Sequence, residues 1–278
     1  MKAMIFGATG LLGKALTHEW SGDEVVALSS RDVDIRDGER VREVVRKHTP
    51  DWIVLSAAYT DVDGCESNPD KAFAVNRDGA VHVAEAAKAA GSKMMFLSSD
   101  YVFDGKRTKP YETEDPRNPQ SVYGRSKAEA EVRLLEALPD CCIARTSWLF
   151  GVGGKCFPDT ILKLAATRPA LDVVNDQRGC PTYAGDLANA IVDLCHKNAS
   201  GIVHVTNAGD CSWFEFAQEI VKDAGLSTEV RPVSSQQMSR PAPRPAYSVL
   251  SPASLRLCGV EMPEWKDALR RYLKERSS

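Results

Sequence analysis

Short apolar runs alternate with longer amphipathic stretches along the first half of the chain. The runs at 2–6, 24–28, 52–56 and 93–97 have the length and composition of buried strands. The stretches at 37–47 and 69–90, with one that begins at Leu11, carry apolar residues at helical spacing, and a further helix begins near Val122. This alternation predicts an α/β fold: a doubly wound parallel sheet of the Rossmann type, with helices on both faces.

The strict alternation fades after residue 151, where we predict a smaller, interleaved α+β region. Helices are expected at 157–167, 184–197, 213–224 and 263–274, and strands at 171–175 and 201–206, the second of which rejoins the main sheet. Ser212 is the expected N-cap of the helix at 213–224. Because prolines interrupt 234–247, we expect this segment to lie as a loop over a binding cleft.

The first strand ends in a glycine-rich turn that opens the first helix. Unpaired N–H groups at a helix start, together with the helix dipole, favour a phosphate. Gly7 permits the turn, Gly10 lets a pyrophosphate approach, and Gly13 lets the helix pack closely on the strand. The spacing differs from the commoner G-x-G-x-x-G, and a plain strand-turn-helix is the alternative. We predict a dinucleotide site that includes Gly7, Thr9, Gly10, Leu11, Leu12 and Gly13.

The end of the second strand bears on which dinucleotide is bound. Ser29 and Ser30 supply hydroxyls there, and Arg31 supplies a guanidinium that suits the extra phosphate of NADPH. Asp32 and Asp34 follow closely and would instead suit the adenine ribose of NADH. We therefore predict NADPH as the cofactor, with Arg31 as a ligand of its phosphate, and keep NADH as the alternative.

Residues at the carboxyl ends of the third and fourth strands are placed to face such a cofactor. Ala57 and Ala58 are small and leave room for it, and Ser99 adds a hydroxyl. Tyr123 and Lys127 lie four residues apart on the next predicted helix, so they share one face. An ammonium near a phenol lowers the phenol's pKa from about 10, which suits a proton donor near neutral pH. The Tyr123–Lys127 pair alone can arise by chance, and it indicates a catalytic site only together with Ser99 and the glycine turn.

Charge, hydrophobic runs and cysteine spacing indicate which classes of partner to expect and in which compartment the protein acts. The 278 residues carry a net charge of -3 without a basic stripe, so we expect no nucleic-acid partner. We find neither a signal peptide nor a stretch as long as a membrane span, so we expect no membrane partner. The eight cysteines form no C-x-x-C pair, which argues against a zinc site, and their scatter fits reduced thiols in the cytoplasm; no acidic cluster with the spacing of metal ligands is evident, so we predict no metal site.

Several motifs together resemble a known enzyme family. The glycine turn, Ser99 and the Tyr-x-x-x-Lys pair resemble the extended short-chain dehydrogenases/reductases. Further stretches, from residue 2 to the C-terminal helix, resemble one branch, the dTDP-4-dehydrorhamnose reductase family. They are Val33-Asp34-Ile35, Ala58-Tyr59-Thr60-Asp61-Val62-Asp63, Ala74-Val75-Asn76, Asp100-Tyr101-Val102-Phe103-Asp104-Gly105, Arg145-Thr146-Ser147-Trp148-Leu149-Phe150-Gly151, Asp176-Gln177-Arg178-Gly179-Cys180-Pro181-Thr182, Ser212-Trp213-Phe214-Glu215-Phe216-Ala217 and Arg244-Pro245-Ala246-Tyr247-Ser248-Val249-Leu250.

The resemblance implies a role for each matching residue. It implies a catalytic trio of Ser99, Tyr123 and Lys127, with serine where the family usually has threonine. Besides the glycine turn and Arg31, the cofactor would contact Asp34, Ile35, Ala57, Ala58, Tyr59, Tyr123 and Lys127. The sugar nucleotide would contact Ser99, Tyr101, Trp148, Thr182 and Arg244. The implied domains are an NADP-binding Rossmann domain of 1–152 plus roughly 184–208, and a substrate-binding region of roughly 153–183 and 209–278.

The implied activity is the reduction, by NADPH or NADH, of the 4-keto group of a nucleotide-linked 4-keto-6-deoxyhexose. Three residues depart from the family pattern: Leu55 and Cys156 replace asparagines, and Ser251 replaces a frequent aspartate. The change at Cys156 leaves the identity of the nucleotide sugar open. Alternatives are an epimerase or dehydratase of the same superfamily, and a non-catalytic NADP-binding subunit similar to the regulatory subunit of methionine adenosyltransferase. A homodimer is a candidate assembly.

Overall fold

The computed structural model describes residues 1–20 and 22–276. The helices and strands of its first half are β1 (Lys2–Phe6), α1 (Leu11–Glu19), β2 (Glu24–Leu28), α2 (Gly38–His48), β3 (Trp52–Leu55), α3 (Val62–Ser67), α4 (Pro69–Phe73), α5 (Gly79–Ala90), β4 (Lys93–Ser99), α6 (Val122–Ala137) and β5 (Cys142–Thr146). Those of its second half are β6 (Leu149–Phe150), α7 (Phe157–Ala165), β7 (Ala170–Val174), β8 (Arg178–Gly179), β9 (Thr182–Tyr183), α8 (Ala184–His196), β10 (Gly201–His204), β11 (Cys211–Ser212), α9 (Trp213–Asp223), β12 (Glu229–Val233), α10 (Ala253–Leu257) and α11 (Trp265–Arg276).

The strands of the main sheet are all parallel, in the order β10-β5-β4-β3-β1-β2. This confirms the predicted doubly wound sheet, including the return of β10 beside β5. The chain moves from β1 to β2 on one side and then crosses back to β3 on the other. Because the connections diverge between β1 and β3, a crevice opens at the carboxyl ends of these strands.

Each face of the sheet is covered by helices that bury an apolar stripe. On one face, α1 and α8 pack through residues such as Leu16 and Ile191. On the other, α2, α5 and α6 pack through Val41, Val83 and Leu134. A third cluster lies among α7, α9 and α11 and is built mainly of large side chains, among them Phe150, Phe216, Trp265 and Tyr272.

The helix predicted at 69–90 is interrupted, which corrects that prediction. A π-helical turn at Ala74–Asp78 separates α4 from α5. The turn brings the side chain of Asn76 inward, where its Nδ2 donates to Ser126 Oγ at 2.9 Å and to the Tyr59 carbonyl at 3.1 Å. Its Oδ1 accepts the Tyr59 N–H at 2.8 Å. Partners distant in sequence therefore favour the wider turn over regular helix.

Other elements differ less from the sequence-based expectation. The strands β5 and β12 were not predicted, since Arg145 interrupts the apolar run of the first, and Pro232 lies within the second. The last helix begins at Trp265 rather than at residue 263. Ser212 is the N-cap of α9, as predicted, and forms a capping box with Glu215.

A buried ion cluster joins α6 to the sheet. Glu131 on α6 and Arg145 on β5 are both fully buried, and the Arg145 guanidinium donates to both carboxylate oxygens, at 2.9 and 2.6 Å. Arg117 Nε donates to the same carboxylate at 2.6 Å, and Ser98 Oγ at 2.5 Å. These partners hold the pKa of Glu131 below its usual range despite the opposing effect of burial.

We expect Glu131→Gln to lower the free energy of unfolding by about 3–5 kcal/mol, because it leaves the buried Arg145 without its counter-charge. Urea unfolding followed by circular dichroism measures the loss. The control is Glu129→Gln on the same helix, whose carboxylate pairs with Arg77 at an exposed position and is expected to contribute about 0–1 kcal/mol. Equal losses in the two variants would contradict this account.

Candidate active site

The glycine turn between β1 and α1 is as compact as glycine allows. Gly7 has φ +90, and a Cβ built on it would lie 2.6 Å from the Ala57 nitrogen. A Cβ on Gly13 would lie 2.1 Å from the Gly7 carbonyl oxygen. Gly10 is the N-cap of α1 and provides no side-chain cap, so among the residues described no side chain caps the N–H groups of the first turn. The turn therefore fits the diphosphate of a dinucleotide.

A cleft of about 990 Å³ extends from this turn along the carboxyl ends of the strands. Most of the predicted site residues line it. They are Gly7, Thr9, Gly10, Leu11, Leu12, Gly13, Asp34, Ile35, Ala57, Ala58, Ser99, Tyr101, Tyr123, Lys127, Trp148 and Arg244.

Two predicted cofactor ligands lie outside the lining. Arg31 is exposed, and Ser30 and Arg36 occupy the cleft wall near it. Arg36 is held there by Asp34, whose carboxylate accepts from Nε at 3.0 Å and from Nη2 at 2.5 Å. Tyr59 contributes backbone groups to the Asn76 side chain, and Lys71 lies over its ring.

Thr182, predicted to contact the sugar nucleotide, lies behind the cleft wall. It is fully buried, its hydroxyl donates to the Cys180 carbonyl at 3.3 Å, and its N–H donates to the Trp148 carbonyl at 3.2 Å. Thr182 therefore supports Trp148 in this structure, and the side chain of Trp148 faces the cleft in its place.

Ser99, Tyr123 and Lys127 all line the cleft. Ser99 ends β4, and Tyr123 and Lys127 lie on the first turns of α6. Gly124 allows this approach, because a Cβ on it would lie 2.2 Å from the Tyr101 carbonyl oxygen. The hydroxyls of Ser99 and Tyr123 interact, and the edge of one ring of the Tyr101–Tyr123 pair faces the other at a centroid distance of 5.5 Å.

The expected effect of Lys127 on the phenol is absent, which corrects that part of the prediction. Lys127 is buried, its Nζ donates to the Leu97 carbonyl at 2.8 Å, and burial lowers its pKa to about 8. Burial raises the pKa of Tyr123 well above its usual value, and the Ser99 hydroxyl opposes the rise only in part. Tyr123 is therefore a protonated phenol at neutral pH and can act as a proton donor.

An aromatic wall closes the far side of the cleft. Trp148, which has φ 46, stacks on Trp213 with ring centroids 3.5 Å apart, and Phe157 packs against Trp213 at 4.5 Å. A Cβ on Gly179 would lie 2.6 Å from the Trp148 ring, so glycine is needed for Trp148 to lie flat there. The sequence pattern alone did not identify Trp213 or Phe157 as lining residues, because they come from separate helices.

The segment 234–247 has no helix or strand and covers one end of the cleft, as predicted. Asp63 fastens it: its carboxylate accepts from Arg244 Nη2 at 2.9 Å and from the Ala242 N–H at 3.1 Å. Asp63 was not identified as a site residue from the sequence. Together with Arg240, Arg244 gives this end of the cleft cations suited to an anionic substrate.

Cys156 also lines the cleft, at the N-cap of α7. Its thiol lies 3.7 Å from the Gly151 carbonyl and 3.6 Å from the Tyr272 hydroxyl, and burial raises its pKa.

Over 1–20 and 22–276, no group of three His, Cys, Asp or Glu side chains could hold a metal ion. None of the helices described there has both the length and the apolar character that crossing a membrane requires.

We expect Gly13→Ala to weaken binding of a dinucleotide by at least about tenfold, because its methyl group would displace the Gly7 carbonyl from the phosphate site. Fluorescence titration of the purified protein measures the dissociation constant. Gly91→Ala is the control: it strains a positive φ at the end of α5, away from the cleft, and its Cβ meets no atom within 4 Å. Unchanged affinity in Gly13→Ala would contradict the assignment of the turn.

Comparison with known proteins agrees with this geometry over the whole chain. The family model described as the RmlD substrate binding domain matches residues 1–278. The spore coat polysaccharide biosynthesis protein SpsK of Bacillus subtilis is 43% identical over 100% of this chain and 98% of its own length. The dTDP-4-dehydrorhamnose reductase of Streptomyces griseus is 40% identical over 96% of this chain and 91% of its own.

A solved structure is similar over nearly the whole chain. The dTDP-4-dehydrorhamnose reductase of Bacillus anthracis, crystallised in complex with NADP, superposes with a TM-score of 0.96 at 38% identity, over 99% of both chains. Sequence identity and structural superposition thus both relate this chain to the same family over nearly its whole length. The chain belongs to the dTDP-4-dehydrorhamnose reductase family.

Proposed function

We propose that this protein reduces the 4-keto group of a nucleotide-linked 4-keto-6-deoxyhexose with NADPH, and that NADH is the less favoured cofactor. The observation that carries the proposal is that Ser99, Tyr123 and Lys127 all line the cleft that starts at the glycine turn. The Streptomyces griseus relative named for this reaction and the NADP complex of the Bacillus anthracis relative support it. The protein is accordingly an NAD(P)H-dependent oxidoreductase.

Each member of the trio has one task in this proposal. Bound NADPH supplies the hydride. Tyr123 donates its phenolic proton to the carbonyl oxygen as the alkoxide develops, and Ser99 hydrogen-bonds the same oxygen. Lys127 holds the nicotinamide ribose. Because the charge on that oxygen exists mainly in the transition state, donors aimed at it raise kcat more than they improve substrate binding.

The glycine turn, Ala57, Ala58 and Tyr59 hold the cofactor, and Asp34 and Ile35 border its adenosine. Trp148 and Tyr101 contact the sugar nucleotide, and Thr182 acts through Trp148. Arg244 gives up its pairing with Asp63 to bind the diphosphate, because a substrate with two phosphate groups competes for the guanidinium. A buried thiol at Cys156 cannot donate as an asparagine amide would, so the nucleotide contacts here differ from the family pattern.

We also propose a cytoplasmic location and a homodimer. The cysteines described are all free and most are buried, which supports a reducing compartment.

The division into a Rossmann domain and a substrate-binding region is likewise a proposal. The aromatic cluster of α7, α9 and α11 supports it, whereas Leu255 and Val260 pack on the Rossmann side. Light scattering of the purified protein tests the dimer.

We expect purified protein to oxidise NADPH only when a dTDP-4-keto-6-deoxyhexose is added, as followed by the loss of NADPH absorbance. Tyr123→Phe removes the proton donor and is expected to lower kcat by roughly 10²–10⁴-fold, with little loss of NADPH affinity. Tyr111→Phe is the control, since it removes a phenolic hydroxyl outside the cleft lining. Wild-type turnover in Tyr123→Phe would overturn the role of Tyr123, and no sugar-dependent oxidation by wild type would overturn the function.

The preference for NADPH depends on a cation near the adenine ribose. No ion pair joins Arg31 to another group in the described part of the chain, whereas Asp34 neutralises Arg36. We therefore expect Arg31→Met to raise the KM for NADPH by roughly tenfold, which is the value of one charge-assisted hydrogen bond, and to leave the KM for NADH unchanged. Arg36→Met is the matched control. The reverse result would assign the phosphate to Arg36.

A further inference from the structure

A buried carboxylic acid lies directly beside the trio, and the mechanism above does not use it. Asp100 follows Ser99 in the chain, is 2% exposed and lines the cleft. No salt bridge joins it to a cation within residues 1–20 and 22–276. A buried carboxyl without a counter-charge is costly, and such groups in clefts are candidates for function.

The hydrogen bonds of Ser99 are directed by this carboxyl. Ser99 Oγ donates to Asp100 Oδ1 at 2.8 Å and accepts the Tyr101 N–H at 3.2 Å. Asp100 Oδ2 is buried without a hydrogen-bond partner among the residues described, and so is the Ser248 hydroxyl that faces the carboxyl. Ser99 is thus the hydrogen-bond partner of Oδ1, and no donor on Oδ2 in the described part of the chain holds the carboxyl in its ionised form.

This arrangement conflicts with the task given to Ser99. A hydroxyl has a single hydrogen to donate. While that hydrogen is directed at an ionised Asp100, Ser99 cannot donate it to the carbonyl oxygen of a substrate. If Asp100 Oδ1 carries a proton instead, this oxygen donates to Ser99 Oγ, and the Ser99 hydrogen is released toward the cleft.

Asp100 changes its charge slightly below neutral pH, whereas the titratable groups named here around it keep theirs. Burial raises the pKa of Asp100 to about 6. Tyr101 beside it and Tyr123 on α6 have pKa values raised by burial, and the pKa of Cys180 is raised to about 12, so all three stay neutral. Lys127 on α6, with a pKa of about 8, stays charged over the same range.

We propose that Asp100 is a positioning residue for the reduction: its carboxyl, when protonated, donates to Ser99 and turns the Ser99 hydrogen toward the carbonyl oxygen of the substrate. This inference rests on the proposed function. Ser99 and Tyr123 then both donate to the oxygen on which charge develops, which is the arrangement that stabilises the transition state. When Asp100 is ionised, the hydrogen of Ser99 returns to the carboxylate and that contribution is lost.

The test is the pH profile of kcat for NADPH oxidation with saturating sugar nucleotide, from about pH 5 to about pH 7, where Lys127 stays charged. Because the protonated form is the active one, wild-type kcat is expected to be level at low pH and to fall as pH rises through the pKa of Asp100, by several-fold, while the KM for NADPH stays constant. Asp100→Asn keeps the size of the side chain and cannot ionise, so this fall is expected to disappear.

A second variant keeps the test independent of the folding of Asp100→Asn. The Ser248 hydroxyl lowers the pKa of Asp100, so Ser248→Ala is expected to shift the fall in kcat to higher pH without abolishing it. A wild-type profile without the fall, its persistence in Asp100→Asn, or its unchanged position in Ser248→Ala would each overturn the proposal. A wild-type protein that oxidises no NADPH at any pH would overturn the proposed function instead.

Discussion

The close packing of the glycine turn against the start of α1 and against the residues that follow β3 is the constraint on which the whole cleft depends. The register of the sheet aligns Phe6 with Leu55 and Leu55 with Phe96, so β1 and β3 end at the same level and β4 continues beyond them to Ser99. The glycine turn, the two alanines after β3 and Ser99 then follow at one edge. A single side chain at Gly13 would separate the turn from the helix and open this edge, because there is no space for a Cβ.

Local sequence was sufficient to predict the parts of the site that one element carries. The turn at Gly7 and the pair of Tyr123 and Lys127 each depend on spacing within a few residues, and both line the cleft as expected. The π-helical turn at Asn76, the stack of Trp148 on Trp213 and the pairing of Asp63 with Arg244 join residues far apart in the chain. Contacts of this kind depend on the packed tertiary structure, which periodicity does not encode.

Burial also explains why the electrostatics of the trio differ from those expected from spacing alone. Helical spacing places the ammonium of Lys127 on the same face as the phenol, but the Leu97 carbonyl takes one of its hydrogen bonds. Removal from water then raises the pKa of Tyr123 and lowers that of Lys127. Both shifts favour the neutral form, and for a reductase the neutral phenol is the form that can donate a proton.

Two successive serines at the end of β4 show how similar hydrogen bonds acquire different functions. Ser98 donates to Glu131, and two arginines also donate to that carboxylate, so it stays ionised and holds α6 on the sheet. Ser99 donates to Asp100, which no salt bridge compensates in the part of the chain described, so burial raises its pKa to about 6. The two arginines beside Glu131, rather than the serines, therefore account for the difference between the two carboxyl groups. A carboxylate paired with cations stays ionised and keeps its hydrogen bonds. A buried carboxyl without a cation changes its protonation slightly below neutral pH, and its hydrogen bond with serine can then reverse direction.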